Sequence, residues 1–454
     1  MSGMAEAREL NLTLDFCLRV GEVLLSSGAG AADVTATMQA LAWQYGVKNV
    51  EVDVTFTSLA MGFQPDPEEP AFVLIRQVKQ REIDYFDLTD VDHLVRDVLR
   101  GEADLKEARQ RLARIVSSGH PVPRWAATLG WGAMCAGVGL QLGGGVEVVT
   151  IAFVAAVAID RLLLVMARRR LPFFYRQVAG GGLATLIAVA GAAFLDDLDL
   201  SVVVTANIIM LLAGIGFMGA LHDALSGFYV TAGARLTEAL LATAGIIAGV
   251  SGGLQVGSAL GIDVGRVEPG AVADLEQASA LAVGAAVCAA SFAFASYAPW
   301  RALLPIGVVA AVAMLISQSA EATDSVGRAW PTAVAAFFVG LVAYGIAARL
   351  RVPPLVVVVP AIVPMLPGLS IYRGLSLLTE GPTATSEGLL AIITAAAVAL
   401  ALAAGVILGE YVAQPLGREA RRLESRLAGP RLVGPLRIRP PKSKRVRRSS
   451  SSEA

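Results

Sequence analysis

The chain reads as an α-helical polytopic membrane protein, with ten transmembrane helices in two inverted five-helix repeats preceded by a small α+β soluble domain. Three observations lead there. The 454 residues are 55% hydrophobic and 17% charged, with mean hydropathy +0.62, whereas a soluble protein carries about a quarter charged residues. Charge is dense before Arg124 and after Leu416 and sparse between them. The stretch from Val202 to Leu240 also has a second copy. Val202-Val203-Val204, Ile208, Leu212, Gly214, Leu221 and Gly227 recur in order, always 154 positions later, as Val356-Val357-Val358, Ile362, Leu366, Gly368, Leu375 and Gly381. Internal similarity at a fixed period marks duplicated architecture.

The soluble domain is expected over residues 1–118. Leu14, Cys17, Leu18, Gly21, Leu24 and Leu25 recur at helical spacing, and the run ends in Ser26-Ser27-Gly28-Ala29-Gly30, rich in turn residues. A second helix begins near Ala31-Ala32-Asp33 and carries Val34, Met38, Leu41 and Trp43. The period then falls to 2: Val50, Val52, Val54 and Phe56 alternate with Glu51, Asp53 and Thr55, a half-buried strand. After a turn at Gln64-Pro65-Asp66-Pro67, residues 71–78 read as its partner strand, and 88–100 and 103–117 as amphipathic helices. Asp33 and the Ser-Ser-Gly-Ala-Gly turn could hold a ligand at a helix N-terminus, but a capping turn is the favoured reading. His93 is expected at the surface. The first residues lack the basic-then-apolar order of a cleavable signal.

Between 124 and 413 a span needs about 20 apolar residues. Ten stretches qualify: 124–143, 147–167, 174–195, 199–221, 229–252, 276–298, 301–319, 330–348, 354–372 and 388–412. They form two halves, 124–253 and 276–413. With the N-terminus inside, the inner loops carry Arg168-Arg169-Arg170, Arg176, Arg235, Arg301, Arg349 and Arg351, while an outer loop carries Asp196-Asp197-Leu198-Asp199. Arginine on one side sets orientation. The basic tail, 417–454, then also lies inside, its Lys442 and Arg445 to Arg448 suited to anionic headgroups. A plasma-membrane protein with both termini cytoplasmic is expected. Since the offset sets span 4 against span 9, each half has five spans, and an odd number makes the copies enter in opposite directions. Secondary transporters use this plan, with substrate sites near the midplane where the halves meet.

Candidate site residues follow from helix breakers and intramembrane polarity. Gly214 in one copy, and Pro364, Pro367 and Gly368 in the other, interrupt apolar runs, which is tolerable only against protein or a water-filled cavity. Charge at mid-bilayer costs at least about 2.5 kcal/mol and usually marks function. Asp160 and Asn207 lie inside spans, and Asp223, Arg235 and Glu238 follow the first repeat copy. Each has a bland reading: Asp160 can neutralise an arginine on another helix, and Arg235 can be a positive-inside anchor. Arg373 and Glu410 are expected at the interface. Cys17, Cys135 and Cys288 have no metal-type spacing, and no Ser-His-Asp or Cys-His set appears. No catalytic residues, metal, disulfide or cofactor are expected, and no nucleic-acid partner.

The stretches LRVGEVLLSSGAGAADVTATMQAL (18–41), HDALSGFYVTAGARLTEALL (222–241) and VPAIVPMLPGLSIYRGL (359–375) resemble the threonine/serine exporter family. The resemblance spans roughly 12–415 and implies a cytoplasmic N-terminal domain, ten spans in two related halves, and export of small hydroxy amino acids by proton antiport. It carries the family's acidic and arginine positions onto Asp223, Arg235 and Glu238. One departure is Ala213-Gly214 where the family often has Pro-Gly, as Pro367-Gly368 does here.

The expected function is thus a secondary transporter exporting threonine, serine or a similar small-molecule substrate, with a proton as coupling ion and the bilayer as its surroundings. A homo-oligomer is compatible with this. The substrate set is Asn207, Gly214, Asp223, Arg235, Glu238, Pro364, Pro367 and Gly368; the proton-coupling set is Asp223, Glu238 and Asp160. A membrane-anchored hydrolase or a ligand sensor in the N-terminal domain is the alternative. The inverted plan predicts that single cysteines replacing Ser226 and Thr383 are labelled from the cytoplasm and from outside, respectively. Labelling of both from one side would remove the inverted repeat.

Overall fold

The architecture comes from a computed structural model describing residues 2–66, 68–78, 83–195, 198–211, 214–261, 275–321, 329–367, 370–371, 373–374, 377 and 385–420. Helix α1 (Ser2–Ser26) buries Leu14, Cys17, Leu18, Leu24 and Leu25 along one stripe. It ends where Gly28 takes a positive φ of 94° and Ala29 N–H donates to Leu24 O at 3.0 Å, a left-handed cap that favours glycine. Helix α2 (Ala31–Gln44) follows, with Gly30 as N-cap and no side-chain cap from its own neighbourhood.

The sheet corrects one expectation. Strands β1 (Val50–Thr55), β2 (Ser58–Phe63) and β3 (Phe72–Gln77) are ordered β1-β2-β3, all antiparallel. The partner of β1 is β2, with Val54 opposite Leu59 and Val52 opposite Met61, whereas the 71–78 stretch pairs with β2 instead. The segment Ser-Leu-Ala-Met-Gly-Phe lacks β-branched residues, so its alternation is easily missed. Helices α3 (Tyr85–Leu99) and α4 (Leu105–Ser117) begin at acid caps rather than at 88 and 103. Asp84 accepts from Phe86 and Asp87 N–H, and Asp104 from Glu107 N–H, meeting donors that a helix start leaves free.

Eleven further helices form the membrane body: α5 (Arg124–Gln141), α6 (Val146–Arg168), α7 (Phe173–Ala192), α8 (Leu200–Leu211), α9 (Gly214–Leu225), α10 (Tyr229–Ala259), α11 (Leu275–Ala295), α12 (Trp300–Glu321), α13 (Ala329–Leu350), α14 (Leu355–Ile362) and α15 (Thr385–Ala420). Among the described residues seven helices are long and apolar enough to cross a membrane, eight if the α8–α9 pair, bent by 47°, is one span. The chain is a polytopic membrane protein. Of the ten expected spans, 124–143 is the helix α5 but is not one of these seven. The 354–372 stretch is a short apolar helix, α14, extended by a 3-10 turn at Val363–Met365. Positions 202–211 and 356–365, paired by the repeat, are both helical and both stop at a break. Asp196, Asp197, Thr383 and the basic tail beyond 420 lie outside the described residues.

Small residues let these helices approach closely, as is common where lipid removes the hydrophobic drive between them. A Cβ on Gly137 of α5 would sit 2.7 Å from Cys288 N of α11, and one on Gly181 of α7 would sit 2.8 Å from Ile246 O of α10. Those neighbours are backbone and cannot turn aside. One hydrophobic cluster runs from Phe16, Met38 and Leu94 of the N-terminal layer to Phe292, Val339 and Val406 of the helical body. A second joins α6, α7, α8 and α10 around Ile159, Ala188, Val204 and Ile246.

Gly137→Val should destabilise the detergent-solubilised protein by about 1–3 kcal/mol, the usual cost of overpacking. Gly252→Ala, whose Cβ would meet nothing within 4 Å, should leave the thermal midpoint unmoved. Equal midpoints for both variants would show that the α5–α11 contact is not tight.

Candidate functional site

The most polar buried locus forms where α9 turns back into α10. Gly227, at φ +89°, makes that turn, and Phe228 N–H donates to Asp223 O at 2.8 Å. The turn brings Asp223 to Arg235, Oδ2 to Nη1 at 2.9 Å, with both side chains buried. This is an ion contact without hydrogen-bond alignment, since Oδ2 has no hydrogen-bond partner by geometry. The other carboxylate oxygen, Oδ1, accepts Ala31 N–H at 2.9 Å, and Arg235 Nη2 donates to Ala29 O at 3.3 Å. The missing cap of α2 is thus the Asp223 carboxylate, 192 positions away in sequence. An anion there is favoured by the free N–H groups and the helix dipole.

Space is left for this contact by two glycines. A Cβ on Gly30 would lie 3.3 Å from His222 Cδ2 and 3.5 Å from Asp223 Oδ1, and one on Gly219 would lie 3.1 Å from Arg235 Nη1. Thr231 adds a second tie from α10: its hydroxyl donates to Val54 O at 3.0 Å and accepts Phe56 N–H at 3.1 Å. Glu238 sits one turn beyond Arg235 on α10, half-buried.

Asp33, in the first turn of α2, belongs to the same locus. Its Oδ1 is buried and accepts no hydrogen bond among the described residues. Burial pushes its carboxyl well above the ordinary range, and the charges of Glu410 and then Asp223 push the same way. The sequence favoured a capping turn here over a ligand site at the helix N-terminus. Glu410, expected at the interface, is half-buried in α15, which packs on α9.

The remaining candidates lie elsewhere. Asn207, fully buried in α8, donates through Nδ2 to Val203 O at 2.9 Å, while its Oδ1 has no partner among the described residues. Gln141, at the end of α5, donates to Pro364 O at 3.1 Å in the 3-10 turn after α14, and its Oε1 is likewise unpartnered. Gly214 opens α9 and Pro367 follows the 3-10 turn; Gly368 lies outside the described residues. Asp160 of α6 is held by Arg124 Nη2 at 2.7 Å and by the Thr128 hydroxyl at 2.7 Å, both from α5. The structure therefore pairs Asp223 with Arg235 on the α9–α10 hairpin, with Glu238 one turn along α10 from Arg235, and holds Asp160 on α5 through Arg124 and Thr128.

Among the described residues one group, Asp84, Asp87 and His120, offers three ligand atoms within 4.8 Å of one another. Asp84 already caps α3 and pairs with His120, whose ring stacks on Tyr297 at 4.1 Å. His93, expected at the surface, is half-buried and its Nε2 lies 2.9 Å from the Arg351 carbonyl.

Comparison with known proteins adds the following. The family described as "Putative threonine/serine exporter" matches residues 15–257, and the one described as "Threonine/Serine exporter, ThrE" matches residues 281–412. A "Probable threonine/serine exporter" of Mycobacterium tuberculosis (strain ATCC 25618 / H37Rv) is 35% identical over 457 residues, covering 97% of this chain and 85% of that protein. A "Threonine/serine exporter" of Corynebacterium glutamicum is 32% identical over 417 residues, covering 90% and 84%. No solved structure matches the chain significantly.

Breaking a buried pair by removing one partner costs about 3–5 kcal/mol, because a charge is left uncompensated. Arg235→Met alone should therefore lower the thermal midpoint more than Arg235→Met with Asp223→Leu. If the double variant unfolds no later than the single one in a detergent melt, the pair is not the buried unit described.

Proposed function

Since this chain belongs to the threonine/serine exporter family, we propose that it is a secondary transporter exporting threonine, serine or a similar hydroxy amino acid against an inward flow of protons. It is a multi-pass membrane transporter, not an enzyme. The observation that carries the mechanism is the pair of interrupted apolar helices at positions linked by the 154-residue repeat: α8, broken before α9, and α14, ending in a 3-10 turn. Broken helices expose backbone donors and acceptors at membrane depth, and transporters of small zwitterions use them as binding groups. In this reading ten spans form two inverted halves that alternate access, with the termini and the soluble α+β domain cytoplasmic. The two family matches, 15–257 and 281–412, part between the proposed halves.

The substrate would sit between the breaks. The N-terminus of α9 at Gly214 would face its carboxylate, and Asn207 Oδ1, buried without a donor, would accept from its ammonium or hydroxyl. Gln141 and the carbonyls around Pro364, Pro367 and Gly368 would line the opposite side. Asp223 and Arg235, already paired with each other, would close the cytoplasmic end, with Glu238 beside them. Glu238, Asp223 and Asp160 are the proposed carboxyls for the proton step. The contacts of Asp223 and Arg235 with Ala31 and Ala29 support a further role of the N-terminal domain in gating this end.

In proteoliposomes, labelled threonine or serine should show counterflow above protein-free vesicles. Asn207→Ala should weaken half-saturation about three- to tenfold, the effect of losing one hydrogen bond to an uncharged side chain, about 0.5–1.5 kcal/mol. Absence of counterflow for both amino acids in well-inserted protein would end this reading.

A further inference from the structure

The coupling candidates drawn from the sequence all lie in or beside the membrane helices, yet one carboxyl under the influence of Asp223, with a buried oxygen, does not. We propose that Asp33, a residue of the N-terminal domain, takes up and releases the coupling proton at the junction of that domain with α9, α10 and α15. The inference rests on the proton-antiport reading above and assigns a residue to its proton step.

The geometry supporting it is local. Asp33 follows Ala31 by two positions in the first turn of α2, and Ala31 N–H is the donor bound by Asp223. Asp223 is committed on both oxygens, one to that N–H and one to Arg235. Asp33 is not: its Oδ1 is buried without a hydrogen-bond partner among the described residues. The charges acting on it are those of Glu410 from α15 and Asp223 from α9, while His222 and Arg235 lie against the neighbouring Gly30 and Ala29. Arg235 is bonded to Asp223 and to Ala29 O, and the charges acting on Asp33 are those of two other carboxylates, Glu410 and Asp223. Ionised Asp33 would stand against Glu410 and Asp223, whereas protonated Asp33 is a neutral donor with an acceptor on either side. Burial and these two charges raise its carboxyl in this arrangement.

The chemistry is a single proton transfer with nothing oxidised or reduced: the carboxylate binds one proton, becomes a carboxylic acid, and returns the proton to water. The sign follows from the raised value. In the docked arrangement Asp33 keeps its proton at a pH where a free carboxyl has lost it. Docking therefore weakens as pH rises from the ordinary carboxyl range through the raised value, and is level beyond it. By reciprocity, proton binding favours docking, and docking favours proton binding. Release of the proton to the cytoplasm would accompany separation of α2, moving together with the α9–α10 hairpin, from α15, opening the end of the pathway at which Asp223 and Arg235 lie.

The test uses the full chain in proteoliposomes and reads the ratio of pH-driven threonine efflux to threonine–threonine exchange in the same vesicles. Asp33→Asn should lower that ratio at least tenfold, and Asp33→Glu should recover most of it. Glu410→Gln, which removes the facing charge, should move the midpoint of the efflux–pH curve to lower pH by about half a unit or more. If Asp33→Asn reduces the yield of folded protein, the Glu410→Gln midpoint decides. A parent protein that exports with pH while Asp33→Asn keeps its ratio and Glu410→Gln keeps its midpoint overturns the assignment. A parent protein whose efflux ignores the pH gradient overturns the antiport reading instead.

Discussion

Asp223 sits fully buried between an arginine on the next helix and the first turn of a helix almost two hundred residues earlier. A carboxylate in such a place is stable only while its partners stay, since desolvation exceeds what any single contact returns. The constraint spreads outward. Gly227 must turn α9 back onto α10 so that Arg235 arrives, and Gly219 leaves room for the guanidinium, which a Cβ there would approach to 3.1 Å. Thr231 fastens the same hairpin to the β1–β2 turn. The N-terminal layer and the membrane body are consequently one packed unit here, joined by polar contacts inside a shared hydrophobic cluster.

The same economy of polar atoms appears wherever the backbone is interrupted. Gln141 reaches the Pro364 carbonyl next to the break after α14, and Arg124 with Thr128 neutralises Asp160 inside α6. Both obey the rule that groups at membrane depth find partners within the protein. Asn207 Oδ1 and Gln141 Oε1 depart from it, each buried without a donor among the described residues. Two open acceptors near two interrupted helices would suit the donor-rich zwitterion of the proposed function.

What could be seen beforehand was what repeats or alternates. Apolar runs marked most of the helices, and the fixed offset related α8 to α14. Asp160 met the bland reading offered for it, an acid beside an arginine on another helix. Strand β2 escaped because its alternation is carried by Leu59, Met61 and Phe63 without β-branched neighbours. The cap of α2 escaped for a different reason: hydrogen bonds between positions 31 and 223 leave no periodic trace. A faint local signal existed, in that Gly30 begins a helix with no Ser, Thr, Asp or Asn at the cap position. Asp33 inside that first turn was read as part of the cap, although its oxygen serves no backbone donor.

The distribution of contacts limits which parts can move. Ala31 N–H, Ala29 O, Val54 O and Phe56 N–H all bond to the α9–α10 hairpin, so displacing the hairpin alone would expose a buried charge pair and four backbone groups together. Moving the hairpin with the N-terminal layer exposes none of them. The break between α8 and α9, bent by 47°, lies at the edge of such a body. On its far side, α15 packs on α9, and the charge of its Glu410 acts on Asp33. In the proton-antiport reading, a carboxyl on each body would make that boundary sensitive to pH, while the Asp223 clasp would travel with the N-terminal layer.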